Sequence, residues 1–179
     1  MSTLYIFSDG NCKNNGKKNS KGRYSVYFGK LLPFSNFNTT IIIENNKPTN
    51  NQMELFGILY IYKILYEHYQ IFKDINIIIV SDSQYSINCI NGIWSDKWIK
   101  NGWVNSKKES VKNKELIQKI LEFKNKINCN LNIKFKHVFS HLQEPNDKNS
   151  LEWICWNGNE IVDMNINKKL NNYNNFINI

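Results

Sequence analysis

Four acidic residues stand beside side chains that a folded chain would bury. Asp9 follows residues 4–8, Glu54 comes early in a helical stretch, Asp82 follows Val80, and Asp163 lies in the last helical stretch. Their neighbours are Ile6 and Phe7, Met53 and Leu55, Ile79 and Val80, and Ile161 and Val162. A carboxylate at an apolar boundary is costly unless a cation, hydrogen bonds or protonation relieve it. Taken singly, each acid reads more readily as a helix cap or a salt-bridge partner. Brought together, they would repel strongly unless a metal ion were bound. Oxygen donors without His or Cys beside them favour Mg²⁺ or Mn²⁺ over Zn²⁺. Holding a hard divalent cation is the chemistry such a set could carry.

These acids need elements to hold them. Residues 4–8 are β-prone, and a polar, glycine-containing loop runs on through Gly22. Residues 23–31 and 37–43 alternate well enough to be the next strands of an antiparallel meander. Thr49–Asn50–Asn51 offers an N-cap. Leu55, Ile58, Leu59, Tyr62 and Leu65 then recur at spacings of three and four, which predicts a helix over 52–69. Ile75–Ser81 is a continuous apolar run of the kind found in buried parallel strands. A short helix is expected over 84–91, then a Trp-rich stretch over 94–103. An amphipathic helix follows over 113–128, with Leu116, Ile120, Leu121 and Ile127 on one side. Residues 131–138 alternate as a last strand, and 159–170 close with a helix. The pattern implies one α/β domain over 1–170, a five-stranded mixed sheet with helices on both faces. An Asn-rich tail over 171–179 completes the chain.

Composition narrows the partners. The 179 residues amount to one ordinary domain, and 41% hydrophobic content is ample for a packed core, which excludes disorder. A net charge of +8 points to a polyanion, nucleic acid first, with a merely solubilising charge as the other reading. The chain holds 31 Asn, 25 Ile and 22 Lys against one Arg and no Ala. That skew reads as codon bias in an A/T-rich genome, viral or cellular, so an isolated Asn carries little weight. No apolar run approaches the roughly 20 residues of a membrane span. The N-terminus lacks the features of a secretory leader. Cys12, Cys89, Cys129 and Cys155 are scattered without a CxxC pair, which favours a reducing, cytoplasmic compartment over zinc ligation or disulfides. A monomer without an obligate protein partner or membrane association is expected.

Each acid also lies inside a longer motif. Ser8–Asp9–Gly10–Asn11–Cys12–Lys13–Asn14–Asn15–Gly16 resembles the opening segment of type 1 ribonuclease H. Thr49–Asn50–Asn51–Gln52–Met53–Glu54–Leu55 is similar to that family's helix-start motif, and Ser81–Asp82–Ser83–Gln84–Tyr85 to its second acidic motif. Trp98–Ile99–Lys100–Asn101–Gly102–Trp103, with the segment 111–116, resembles the basic protrusion of the cellular members, here about 94–113. Ser140–His141 and Gly158–Asn159–Glu160–Ile161–Val162–Asp163 look like the closing motifs. Any one motif is weak, but the ordered set is specific.

The resemblance implies the ribonuclease H fold and an endonuclease that hydrolyses the RNA strand of an RNA–DNA hybrid, leaving 3′-hydroxyl and 5′-phosphate ends. It implies two Mg²⁺ ions per site, with Mn²⁺ a possible substitute. Asp9 would bridge them, Asp163 would help hold the ion that activates water, and Glu54 and Asp82 would hold the ion beside the leaving group. By analogy His141 would assist proton transfer or product departure. Asn15, Asn50, Asn51 and Gln84 match positions that contact the 2′-hydroxyls of the RNA strand, a task amides suit because they both donate and accept. Tyr85 and Trp94 match aromatics lining the DNA-strand channel, and Thr49 and Asn101 a phosphate pocket on that strand. Asn159 belongs to the closing motif as a further substrate contact. Trp98 and Trp103 are expected to pack the protrusion against the body. Residues 97–114 hold six Lys and one Glu, a local charge of +5 suited to phosphates.

Three departures from the family pattern stand out. Gln52 takes the place of an Arg, and Lys47 with Thr49 stands where the resemblance implies a stronger, Arg-containing phosphate pocket. His141 and Asn159 are separated by seventeen residues, which predicts an extended loop over 142–158. Trp153, Cys155 and Trp156 within it could cap the site, contact substrate or pack against the last helix. Resolvases, integrase-type transferases and proofreading exonucleases also cluster acids on a related sheet, but lack the helix-start motif and the protrusion. A non-catalytic module would be marked by missing acids, and all four are present.

Overall fold

A computed structural model describes residues 2–44, 47–127 and 130–168. The helix ends expected at Asn128 and Leu170, Cys129 and the tail 171–179 lie outside the described residues. Among the described residues are five strands, β1 (Ser2–Lys13), β2 (Lys21–Tyr27), β3 (Thr39–Ile43), β4 (Ile75–Ser81) and β5 (Asn132–His137). They form one sheet in the order β3-β2-β1-β4-β5. The first three pair antiparallel, while β4 and β5 join β1 in parallel, so the sheet is mixed as expected. Among the described residues six helices accompany it: α1 (Asn50–Glu67), α2 (Tyr69–Phe72), α3 (Gln84–Ile90), α4 (Ser95–Lys100), α5 (Lys114–Ile127) and α6 (Leu151–Asn167).

Strand alternation sorts the core into two layers. Ile6, Tyr24, Val26, Ile77 and Ile79 pack with Met53, Leu55, Ile58 and Ile61 of α1 and with Ile117 and Ile120 of α5. Phe7 and Val80 turn to the other face and meet Cys155 and Val162 of α6. Because α1 is sandwiched between the sheet and α5, ten of its eighteen residues are buried, Glu54 among them. No helix among the described residues is long and apolar enough to cross a membrane.

Three elements differ from the sequence reading. The strand expected over 23–31 is Lys21–Tyr27, ending where the Phe28 N–H donates to Asn38 Oδ1 and Gly29 takes a φ of 128°. β1 does not stop before Asp9 but continues to Lys13, with Asp9 opposite Ser25 and Lys13 opposite Lys21. Its second half is polar yet still laddered to β2, so the connecting loop shrinks to 14–20. The last helix starts at Leu151 rather than 159, capped by Ser150, whose Oγ accepts from the Trp153 N–H at 3.0 Å. The loop expected over 142–158 therefore ends at Ser150, and Trp153, Cys155 and Trp156 stand on α6 itself.

The helix crosses the sheet closely at Gly158, where an added Cβ would strike the Phe7 ring. Helix propensity alone predicts that Gly158→Ala stabilises by about 1 kcal/mol. Overpacking against a buried ring predicts a loss of about 1–3 kcal/mol instead. A lower urea midpoint for the variant is expected, and a higher one would contradict this seating of α6.

Candidate active site

The parallel ladder fixes the first two acids. Phe7 pairs with Val80, and continuing that register by two residues sets Asp82, just past β4, level with Asp9. Glu54 arrives from above on α1. Thr49 caps that helix through a capping box: its Oγ1 accepts from the Gln52 N–H at 3.3 Å, and its own N–H donates to Gln52 Oε1 at 3.0 Å. Gln52, the departure from the family's Arg, thus fixes the helix start two residues before Glu54. Gly10 permits the approach, since a Cβ there would collide with the backbone of Met53 and Glu54.

As a result, carboxylate oxygens of Asp9, Glu54 and Asp82 lie within 4.8 Å of one another. They open into a cavity of about 220 Å³ also lined by Gly10, Asn11, Ser140, His141, Asn159, Glu160 and Asp163. Asp163 shares the cavity but stands outside the 4.8 Å grouping, its Oδ1 accepting from Asn167 Nδ2 at 2.9 Å. Burial, reinforced by the Asp82 charge, pushes the Asp9 carboxyl up from 3.8 to about 7. Glu54 is raised well above the usual range, by burial first and by Asp9 and Asp82 next. Burial also raises Asp82, against the opposing pull of its own backbone N–H and of His137 and His141.

This donor set suits a hard divalent cation. Glu54 Oε2 and Asn159 Oδ1 are buried without a hydrogen-bond partner among the described residues. An orphaned carboxylate oxygen beside two more carboxylates is relieved by a cation. Acidic oxygens with no thiol in reach match the Mg²⁺ and Mn²⁺ class.

The other expected site residues divide into two groups. His141 and Asn159 line the cavity with the acids. Asn15, Asn50, Asn51 and Thr49 cluster around the start of α1, where two amides stitch the loop to the helix. Asn15 Oδ1 accepts from the Asn50 N–H at 3.1 Å, and Asn50 Oδ1 accepts from the Cys12 N–H at 2.7 Å. Gln84 is exposed at the head of α3, its Nε2 donating to Asn88 Oδ1 at 2.8 Å. Tyr85, Trp94, Trp98 and Trp103 form a chain of rings at centroid spacings of 5.9, 5.7 and 6.3 Å, fastening α4 to the body. Asn101, exposed at the C-terminal end of α4, does not line the acidic cavity. Sequence reasoning left four lining residues without a role: Gly10, Asn11, Ser140 and Glu160. It also passed over His137, whose Nε2 lies 3.1 Å from the Asp82 carbonyl. The alternation of 131–138 was the available signal, since it sets His137 level with Ser81.

The RNase H family model matches residues 1–170. The chain belongs to the RNase H family. It is 35% identical over 141 residues to a ribonuclease H of Clostridium botulinum, covering 79% of this chain and 85% of that one. It is 36% identical over 143 residues to a ribonuclease H of Caldicellulosiruptor saccharolyticus, covering 79% and 86%. Among solved structures, the PFV RNase H domain is similar with a TM-score of 0.61 at 18% identity, covering 90% of both chains. LC11-RNase H1, an RNase H from compost, reaches a TM-score of 0.59 at 17% identity, covering 93% of this chain and 97% of that one. These two likenesses show the RNase H fold.

Carboxyls raised by burial bind protons in the folded chain that the unfolded chain has released, so stability falls as pH climbs from 3.8 towards about 7. Without divalent ions, Tm is expected to be lower at about pH 8 than at about pH 5.5. Asp9→Asn should shrink that difference, and a divalent cation should raise the wild-type Tm more at the higher pH. Calorimetric scans showing equal slopes for wild type and variant would contradict the placement of Asp9.

Proposed function

We propose that this RNase H family member is an endoribonuclease hydrolysing the RNA strand of RNA–DNA hybrids to 3′-hydroxyl and 5′-phosphate ends. Mg²⁺ is its cofactor, two ions per site, with Mn²⁺ as a substitute. The observation that carries the reading is the convergence of Asp9 on β1, Glu54 on α1 and Asp82 just past β4, their carboxylate oxygens within 4.8 Å of one another. Together with Asp163 they would hold the ions, which when bound make a water more acidic and neutralise the leaving oxygen.

The remaining residues bind, orient and move protons. His141 is exposed beside the acids, where its imidazole can pass a proton to or from bulk water. Asn15 and Asn50 already use their carbonyl oxygens on backbone N–H groups. That leaves each NH₂ to donate to a 2′-hydroxyl or its neighbouring phosphate. Asn51 and Gln84, exposed at two helix starts, extend the same polar row along the RNA strand. Asn159 presents its buried Oδ1 inside the cavity. On the DNA side, Tyr85 and Trp94, packed edge to face with each other, would line the channel. Thr49 and Asn101 with the lysines of 97–114 follow the phosphates, and a polyanion is held there in proportion to counterions released. Action as a monomer in a reducing, cytoplasmic setting goes with the buried free thiols of Cys12, Cys89 and Cys155.

With Mg²⁺, matched RNA–DNA, RNA–RNA and DNA–DNA duplexes on one gel should show cleavage of the hybrid alone. Asp82→Asn should abolish that cleavage while leaving hybrid affinity within about twofold, since phosphate contacts dominate binding. Near-normal turnover by the variant, or cutting of the DNA duplex, would overturn the reading. His141→Ala should be slowed by about 10²-fold rather than inactive, the share a proton-transfer group supplies. Complete loss of activity would give His141 a larger part than proton transfer.

A further inference from the structure

α6 begins two turns ahead of the residues that line the cavity, and those turns hold the loop that carries His141. The loop, residues 138–150, is tied down at both ends. At its start the Val138 N–H donates to the Ser81 carbonyl at 3.2 Å, beside Asp82. At its end the Asp147 side chain accepts from the Asn149 N–H at 2.9 Å, and Ser150 Oγ donates to the Asp147 carbonyl at 2.7 Å. Between these anchors the tethers are two indoles. Trp156 Nε1 donates to the Leu142 carbonyl at 2.9 Å, one residue from His141. Trp153 Nε1 donates to Glu144 Oε1 at 3.0 Å, and Lys148 Nζ lies 3.8 Å from the same oxygen. His141 itself has a φ of 57°, a left-handed conformation that a residue with a Cβ keeps only where its surroundings hold it.

We propose that Trp156, supported by Trp153, is a positioning residue for His141. This rests on the hydrolase reading above and deepens it. Neither indole lines the cavity, so neither is placed to touch the reacting groups. A loop free to wander would present His141 beside the acids for only part of the time. Tying the neighbouring carbonyl to a helix raises that fraction, so the tether acts on turnover rather than on affinity for the hybrid. The two extra turns of α6 thereby acquire a purpose that the spacing of the closing motifs did not reveal.

The test is a double-mutant cycle on the intact chain. Trp156→Phe keeps a ring of similar bulk and removes the N–H donor. It is expected to lower kcat about tenfold with KM within about twofold, the signature of a displaced reacting group. In a His141→Ala background the same substitution should cost nothing further, because the group it positions is gone. Amide exchange across 138–150 should be faster in Trp156→Phe than in wild type. Glu144→Ala, at an exposed position that leaves α6 intact, frees the Trp153 indole and should give a smaller kcat loss that also vanishes without His141. An unchanged kcat in Trp156→Phe, or an equal drop in both backgrounds, overturns the proposal. Wild-type protein that binds hybrid but never cuts it would instead remove the hydrolase reading, and this inference with it.

Discussion

The mutual repulsion of two buried carboxylates and a half-buried third is the constraint the rest of the molecule must oppose. At separations of no more than 4.8 Å, a pair of unit charges repels by at least about 3 kcal/mol even at an effective dielectric of about 20. Nothing in Asp9, Glu54 and Asp82 draws them together; the backbone imposes the meeting. The β1–β4 ladder sets two of them level, and the bare Cα of Gly10 lets α1 press the third against them. Apolar side chains on both sheet faces keep that frame from yielding. Two remedies remain for the trapped charge, protons or cations. The raised carboxyls of Asp9 and Glu54 express the first, and the orphaned Glu54 oxygen invites the second.

A similar economy links this acidic point to the positive surface around it. α3 begins two residues after Asp82, and its Tyr85 is the first ring of the aromatic chain that ends at Trp103. Asn113 closes the far side of the protrusion by donating to the Tyr85 hydroxyl at 3.1 Å. The lysines of 97–114 are therefore carried on a stiff arm rooted beside a carboxylate. Any polyanion drawn to that arm is held at a fixed offset from the acids, which converts a non-directional attraction into registration.

The sequence made the site legible because its signals are local. Each acid sits in a short motif, and the β1–β4 offset can be read from two apolar runs. The family match spans 1–170, the stretch that holds those motifs. What escaped notice depends on contacts distant in sequence. The polar second half of β1 looks like a loop until its ladder to β2 is visible. The early start of α6 was hidden because its first turns carry Trp153 and Trp156, whose partners, Glu144 and the Leu142 carbonyl, lie in the preceding loop. Gly10 stands within a motif, but its need to be glycine appears only when α1 lies across it.

Arg23 shows how such distant contacts finish the frame. It is the only arginine among 23 basic residues, and it touches no part of the acidic cavity. Its Nη1 donates to the Ile166 carbonyl at 2.8 Å and the Lys168 carbonyl at 3.0 Å, at the C-terminal end of α6. A cation there complements the negative end of the helix dipole. The guanidinium is less strongly hydrated than an ammonium and holds its N–H groups in one plane, so part-burial against two carbonyls is easier for Arg than for Lys. Asp163 lies one turn upstream of those carbonyls. α6 is thus fixed by Ser150 and the indoles at one end, by Phe7 beneath Gly158 in the middle, and by Arg23 at the other. A helix held at three points keeps Asp163 facing the other acids without any direct bond between them.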